Sequence, residues 1–325
     1  MSKMKAVVIH EAGGPDALKI ETREIPTPKA GWVLIRVKSF GLNRSELFTR
    51  QGHSPNVPFP RILGIDAVGV VAQSVDGVFT EGETVATAMG GLGRMFDGSY
   101  AEYTLVPNAQ VMRLKTTLAW DVLGALPEML QTANGSLQTA LKAQAGETLL
   151  VRGGTTSVGL CAAILAKRMG LTVIATTRRE DRRQSLLDNG ADDVVIDTGA
   201  IAQDVKKRYP EGVNKVLELV GTTTLLDSLA CTARGGSVCM TGMVGNAWEL
   251  AAFSPMGAIP TAVNLTTYAG GNEDFLATPL QDIADLVVAG KFNVPIGKVF
   301  KIDDIVAAHT AMENNTAGGK IVVVT

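Results

Sequence analysis

The sequence predicts a two-part α/β protein in which a β-rich region is followed by a doubly wound parallel sheet. Three observations predict it. Up to about Leu126, short apolar or alternating runs at residues 5–9, 33–37, 67–73 and 83–88 are broken by Gly, Pro and Asn, the pattern of short strands in a barrel-like region. After Gly146 the rhythm changes, and apolar strands alternate with stretches of helical periodicity, as the crossovers of a parallel sheet require. The first of these crossovers turns through a run of small residues at 153–159 that opens a helix.

The six strands fall at residues 148–152, 172–176, 193–196, 215–219, 237–241 and 264–268. Six strands with crossover links make a Rossmann-type sheet. Helices are predicted over 158–169, 180–189 and 222–230, the second stopping at Gly190 and the third before Gly235-Gly236, because glycine ends helices readily. Beyond about Gly271 come a helix at 279–289, a strand at 298–301, a helix at 302–314 and a strand at 320–324. These have no place in a completed sheet, so they are expected to rejoin the N-terminal region. The expected boundaries are 1–126, 127–270 and 271–325.

Composition narrows the function. With 325 residues, 46% of them hydrophobic, the chain can bury two cores. A net charge of -2 gives no field to attract nucleic acid or an anionic membrane surface. No run is long enough to span a membrane, and the apolar run ending at His10 is too short for a signal segment. Three cysteines, Cys161, Cys231 and Cys239, make no disulfide framework and fit a reducing cytoplasm.

The strongest local signal is the apolar strand Leu149-Leu150-Val151-Arg152 running into Gly153-Gly154-Thr155-Thr156-Ser157-Val158-Gly159. A diphosphate needs bare backbone amides at a helix N-terminus, and only small side chains let it approach. Gly153 allows the turn, residues 154–157 form its floor, and Gly159 lets helix pack on strand. The spacing departs from G-x-G-x-x-G, since Thr156 and Ser157 stand where glycines are usual; without its alternating strands the turn is as well read as an ordinary strand-to-helix link.

The second strand ends at Thr176-Thr177-Arg178-Arg179, where NAD-binding proteins place an acid on the ribose hydroxyls. No acid is present. Thr177 with Arg178 and Arg182 is expected to take a 2′-phosphate through charge-assisted bonds, so NADP(H) is expected over NAD(H). The rival reading is a solvated basic helix start, because Glu180 and Asp181 are interleaved with four arginines. Two more glycine turns, Val220-Gly221 and Thr241-Gly242-Met243, fall at predicted strand ends where ligands of open sheets lie. They are expected to let ribose and nicotinamide rest against backbone, unless they are plain turn glycines.

Five further motifs stand beside the 153–159 loop: Gly41-Leu42-Asn43-Arg44-Ser45-Glu46, Gly64-Ile65-Asp66-Ala67-Val68-Gly69, Gly98-Ser99-Tyr100-Ala101-Glu102-Tyr103, Leu126-Pro127-Glu128 and Gly318-Gly319-Lys320-Ile321. Taken together, they resemble the medium-chain dehydrogenase/reductases, in the zinc-independent branch of quinone oxidoreductases related to zeta-crystallin. The resemblance covers nearly the whole chain. It implies a GroES-like, partly discontinuous catalytic domain beside the Rossmann domain, often a homodimer, and NADPH-dependent hydride transfer to a conjugated carbonyl compound. By position Asn43 resembles the family's asparagine that faces nicotinamide and substrate, and Thr132 its polar residue lining the nicotinamide pocket. The tyrosine often found shortly after that asparagine appears here as Phe48. Where zinc-bearing relatives place a Cys and a His-Glu pair, this chain resembles them with Asn43, Ile65 and Asp66. His10, His53 and His309 are far apart and lack cysteine partners, so no zinc is expected.

Without a metal, catalysis rests on positioning and on hydrogen-bond donors near the developing oxyanion, with Asn43 the candidate donor. Quinones and activated alkenes suit this, because they delocalise the charge themselves. No Tyr is followed four residues later by Lys, so the short-chain dehydrogenase pair is missing. Two other functions stay open: an enoyl-thioester or alkenal reductase of the same fold, and a non-enzymatic NADPH-binding protein.

Overall fold

The computed structural model describes residues 2–325. It falls into two compact units, one of Met1–Gln131 with Gly270–Thr325 and one of Thr132–Ala269.

In the second unit the strands Thr148–Arg152 (β1), Thr172–Thr177 (β2), Asp193–Ile196 (β3), Val213–Glu218 (β4), Thr232–Met240 (β5) and Asn264–Thr267 (β6) form one sheet. Their order is β3-β2-β1-β4-β5-β6 and every pairing is parallel. This is the Rossmann order, with the chain reversing direction across the sheet beside β1. The apolar side chains of β1, β2 and β4 are buried among Val205, Leu225, Leu229 and Val238. Near-continuous apolar strands are what a sheet covered on both faces demands.

The helix Ser157–Arg168 follows β1 because its ends are well specified. Thr156 accepts a hydrogen bond from the Gly159 amide at 3.0 Å, Lys167 and Arg168 sit in the last turn, and Gly170 turns the chain with φ 84°. Two elements differ from the sequence reading. The segment 180–189 is a 3-10 turn, Glu180–Arg182, followed by a short helix, Arg183–Asp188. The fifth strand begins at Thr232 and carries Gly235-Gly236 within it, beside an irregularity in its pairing with β4.

A helix at Ala202–Arg208 was missed, for a physical reason. Its first amides are capped from a distance: Ile201 and Ala202 donate to Asp227, at 2.9 and 3.2 Å. No local capping residue marks the start. The same Asp227 accepts from Arg152 Nη1 at 2.5 Å, while Asp197 takes Arg152 Nε and Nη2 in a two-pronged bond, both at 2.9 Å. Arg152 is wholly buried, so this fork ties the ends of β1 and β3 to the helix Thr222–Ala230.

The first unit holds a seven-stranded sheet. Along it run Ile296–Lys301, Lys320–Val324, Trp32–Gly41, Asp66–Ser74, Thr84–Ala88 and Val111–Arg113, with Tyr103–Pro107 paired on Trp32–Gly41. Lys3–Ile9 pairs with Leu18–Glu24 and Arg61–Ile62 in a smaller sheet. The last strand, Lys320–Val324, lies antiparallel to the end of Trp32–Gly41, with Val322 opposite Gly41. Its start is thereby set beside Asn43, almost three hundred residues away in sequence.

Replacing Arg152 by Met leaves Asp197 and Asp227 without their buried counter-ion. Urea unfolding of Arg152→Met is expected to show a loss of about 3–5 kcal/mol, as for other broken buried pairs. A loss below about 1 kcal/mol would mean that the fork contributes little.

Candidate functional site

In the Rossmann unit the turn after β1 leaves donors unused. The Gly153 amide donates to Thr176 Oγ1 at 3.0 Å, and the Gly154 amide to the Thr176 carbonyl at 3.1 Å. Thr156 bonds back to Gly153 and Gly159 to Thr156. The amides of Thr155, Ser157 and Val158 make no hydrogen bond among the described residues. Three bare N–H groups at the start of a twelve-residue helix are the donors that an anion would meet there. The glycines are sterically required: a Cβ on Gly159 would come within 2.6 Å of the Gly153 carbonyl oxygen, and one on Gly154 within 3.0 Å of Thr176 O. Gly153 itself has φ 85°.

At the end of β2 the four arginines divide into two pairs. Arg179 is forked onto Asp181 and Arg183 onto Glu180. The guanidinium groups of Arg178 and Arg182, the two chosen from sequence, make no hydrogen bond or ion pair among the described residues. Thr177 is buried, and its hydroxyl closes the turn by accepting from the Arg179 amide at 3.1 Å.

Sequence reading found both glycine turns but missed the residue that builds them. Glu218, buried at the end of β4, accepts from the amides of Val220 at 2.7 Å and Gly221 at 2.9 Å, and from Thr224 and Ser228 hydroxyls at 3.0 and 2.5 Å. Burial pushes its pKa up, and these donors hold it down. Its carbonyl also accepts from Thr241 and Gly242, at 2.9 and 3.1 Å. One residue therefore shapes both turns. Gly221 has φ 105°, and a Cβ on Gly242 would lie 2.3 Å from the Leu219 carbonyl oxygen. Met243 follows with its sulfur 3.1 Å from a Cβ built on Gly221. Thr241 is joined to Ser136 by a hydroxyl pair at 2.9 Å. Ser136 stands four residues after Thr132, where the helix Pro127–Gly135 passes into a π-turn, Ser136–Ala140. Such turns recur at functional sites.

The first unit holds a second polar group of residues, around Asn43. The start of the helix Arg44–Arg50 places Asn43 and Glu46 together: Glu46 Oε2 accepts from the Asn43 amide, and Oε1 accepts from Asn43 Nδ2 and from the Ile65 amide, all at 3.0 Å. Asn43 Nδ2 also reaches the Gly41 carbonyl at 3.3 Å. Lys320 Nζ donates to Asn43 Oδ1 and lies 3.4 Å from Glu128 Oε2. Asp66 accepts from the amides of Gly41 and Glu128, at 2.9 and 3.3 Å. Glu46, Asp66 and Lys320 are at most 1% exposed. Burial pushes Glu46 up to about 8, with Asp66 adding repulsion. It pushes Asp66 up to about 7 against the pull of Lys320. Glu46 and Asp66 thus hold protons that isolated carboxyls would release.

Tyr100 and Tyr103 are engaged with other side chains of the first unit. Tyr100 is buried, stacks on Phe40 with ring centroids 4.6 Å apart, and shares a 3.0 Å bond with His309 Nε2. Burial holds its pKa well above the ordinary value. Tyr103 takes Arg36 Nε at 2.9 Å.

Residues 29–116 match the alcohol dehydrogenase GroES-like domain family, and residues 157–285 match the zinc-binding dehydrogenase family. The chain belongs to the medium-chain dehydrogenase/reductase superfamily, in its quinone oxidoreductase branch. It is 28% identical to the quinone oxidoreductase of Homo sapiens, across 98% of this chain and 97% of that one. An acryloyl-coenzyme A reductase of Metallosphaera sedula is also 28% identical, over 74% of this chain and 77% of its own length. Among solved structures, that of AibC matches with a TM-score of 0.88 and 28% identity, covering 99% of this chain and 96% of that one.

The positions that resemble the ligands of zinc, which one family name mentions, are engaged within the chain or lack a donor atom. Asn43 Oδ1 is taken by Lys320, Ile65 has no donor atom, and both oxygens of Asp66 accept backbone amides. Among the described residues no three His, Cys, Asp or Glu side chains come together to hold a metal ion.

The Asn43 group makes stability depend on pH. Glu46 and Asp66 bind protons more tightly in the folded chain, at about 8 and 7, than at their ordinary values of 4.5 and 3.8. The folded state holds the extra protons, so stability falls as pH rises through that window. His309, pushed by burial down to about 3, acts in the opposite sense only below its ordinary 6.5. The thermal midpoint is therefore expected to drop between about pH 6.5 and 8, with a shallower slope in Glu46→Gln. A midpoint that rises there, or an unchanged slope in the variant, contradicts the assignment.

Proposed function

We propose that the chain is an NADPH-dependent oxidoreductase that reduces a quinone or another conjugated carbonyl compound without zinc. The observation that carries this reading is the set of three unbonded amides at Thr155, Ser157 and Val158, with two unpaired guanidinium groups, Arg178 and Arg182, at the end of the next strand. A dinucleotide diphosphate fits the first and a 2′-phosphate the second. Gly153, Gly154, Thr156 and Gly159 keep the cradle open, and Thr177 closes the turn that presents the arginines. Val220, Gly221, Thr241, Gly242 and Met243 offer backbone to ribose and nicotinamide, and Thr132 lines the nicotinamide pocket.

Bound NADPH supplies the hydride, and a solvent proton completes reduction of the acceptor. The chain's own part is to orient and to stabilise charge. Asn43 Nδ2 is the donor assigned to the acceptor oxygen. Its 3.3 Å contact with the Gly41 carbonyl is the longer of its two bonds, and a developing oxyanion is a stronger acceptor than a carbonyl.

A thioester acceptor is the second reading, favoured by the likeness to the acryloyl-coenzyme A reductase. The family's homodimer is part of the same proposal: β6 is an edge strand with one neighbour, and Phe253 and Met256 in the segment before it are exposed. Sedimentation at the mass of a single chain would count against it. The three cysteines are buried, which accords with a cytoplasmic setting.

Reductant consumption with 1,2-naphthoquinone, an alkenal and an enoyl thioester, each with NADPH and with NADH, tests the function. Turnover with the quinone is expected to exceed that with the thioester; the reverse order transfers the function to the second reading. Losing a charged hydrogen bond costs about 1.5–3 kcal/mol, so Arg178→Ala with Arg182→Ala is expected to raise the KM for NADPH by roughly tenfold or more and leave that for NADH unchanged. Equal effects on both coenzymes contradict a 2′-phosphate role.

A further inference from the structure

Asn43 is held from behind by a charge that neither the motif nor the family resemblance assigns a task. We propose that Lys320 is a positioning residue for the reaction: its buried ammonium fixes the orientation of the Asn43 amide and polarises its N–H toward the acceptor oxygen. This rests on the reading of Asn43 as the donor.

An asparagine side chain is nearly symmetrical in shape, so its partners decide which end faces where. A lysine ammonium only donates, so Lys320 on Oδ1 specifies one orientation and penalises the flipped one, which would turn an N–H onto the ammonium. On the other side Glu46 Oε1 accepts from Nδ2 and from the Ile65 amide. The ammonium also strengthens the donor. A cation on an amide oxygen draws electron density through the C–N bond, leaving the N–H groups more positive, and the effect is large where water is excluded.

The surrounding residues are arranged for this contact. Lys320 begins the final strand, and the Leu42 amide donates to the Ile321 carbonyl at 2.9 Å, which fixes the strand's start beside the 41–43 turn. Gly41 leaves the passage: a Cβ there would lie 2.6 Å from Lys320 Cε and 3.0 Å from Nζ. Asp66 and Glu128 flank the ammonium and offset its desolvation. A lysine serving packing alone has no need of a glycine gap that ends on an asparagine carbonyl.

The step being assisted is hydride addition to the acceptor's electrophilic carbon. The electron pair of its conjugated C=C or C=O bond moves to the carbonyl oxygen, nicotinamide is oxidised, and solvent protonates the resulting anion. The more localised the charge on that oxygen, the more a polarised donor matters. Lys320 is therefore expected to count for more with an alkenal than with a quinone.

A double-mutant cycle of Lys320→Met and Asn43→Ala tests the proposal. Removing an oxyanion donor typically costs 10²–10³ in kcat, so Lys320→Met is expected to lower kcat by roughly tenfold or more, with a larger loss for the alkenal than for 1,2-naphthoquinone. The KM for NADPH should not move, and the loss should vanish in the Asn43→Ala background. Full additivity, or equal losses for both acceptors, overturns the role of Lys320. Normal kcat in Asn43→Ala instead overturns the donor reading on which it rests. If Lys320→Met does not fold, Gly41→Ala decides, since it keeps every charge and displaces the ammonium; an unaltered kcat and acceptor preference in that variant overturn the proposal.

Discussion

Three backbone N–H groups at the start of one helix have no partner among the described residues, and the proposed function depends on what satisfies them. A helix end leaves its first amides unbonded by geometry. At most such ends a side chain or water completes them. Here Thr156 already spends its hydroxyl on Gly159, and Thr176 takes Gly153, so the amides of Thr155, Ser157 and Val158 are left open on either side of the bonded Thr156 amide. The glycines around them exclude side chains that would otherwise fill the space. A diphosphate matches that arrangement in charge, size and number of acceptors.

The remainder of the Rossmann unit keeps this helix end fixed. Arg152, one residue before the turn, is clamped by Asp197 and Asp227. Glu218 uses its carboxylate for one glycine turn and its carbonyl for the other. Both are buried ionisable groups whose charge is matched by several hydrogen bonds, the condition under which such groups are tolerated. In the first unit the same economy appears around Asn43, whose amide is held by the Lys320 ammonium and the Glu46 carboxyl, with Glu128 and Asp66 beside the ammonium.

Much of this was legible in the sequence, and what was not has identifiable causes. The strands Thr148–Arg152 and Asp193–Ile196 coincide with the reading because apolar runs of that length between glycines have few alternatives. Ala202–Arg208 was hidden because its cap, Asp227, is twenty-five residues from Ala202. Among the arginines, the acids at 180 and 181 neutralise Arg183 and Arg179 through short-range pairs and leave Arg178 and Arg182. That sorting needs side-chain geometry as well as order along the chain. Glu218 and Ser136 were missed because a lone acid in a strand and a serine in a helix carry no signal until folding brings the turns to them. Lys320 was seen only as part of a closing motif, since its partner Asn43 is 277 positions away.

The most direct measurement is a crystal structure of the protein with NADP+ bound. Diphosphate oxygens within hydrogen-bond distance of the Thr155, Ser157 and Val158 amides, with the 2′-phosphate beside Arg178 and Arg182, are the expected result. A diphosphate seated elsewhere while those amides bond only water would contradict it, as would crystals that take up no coenzyme at millimolar concentration.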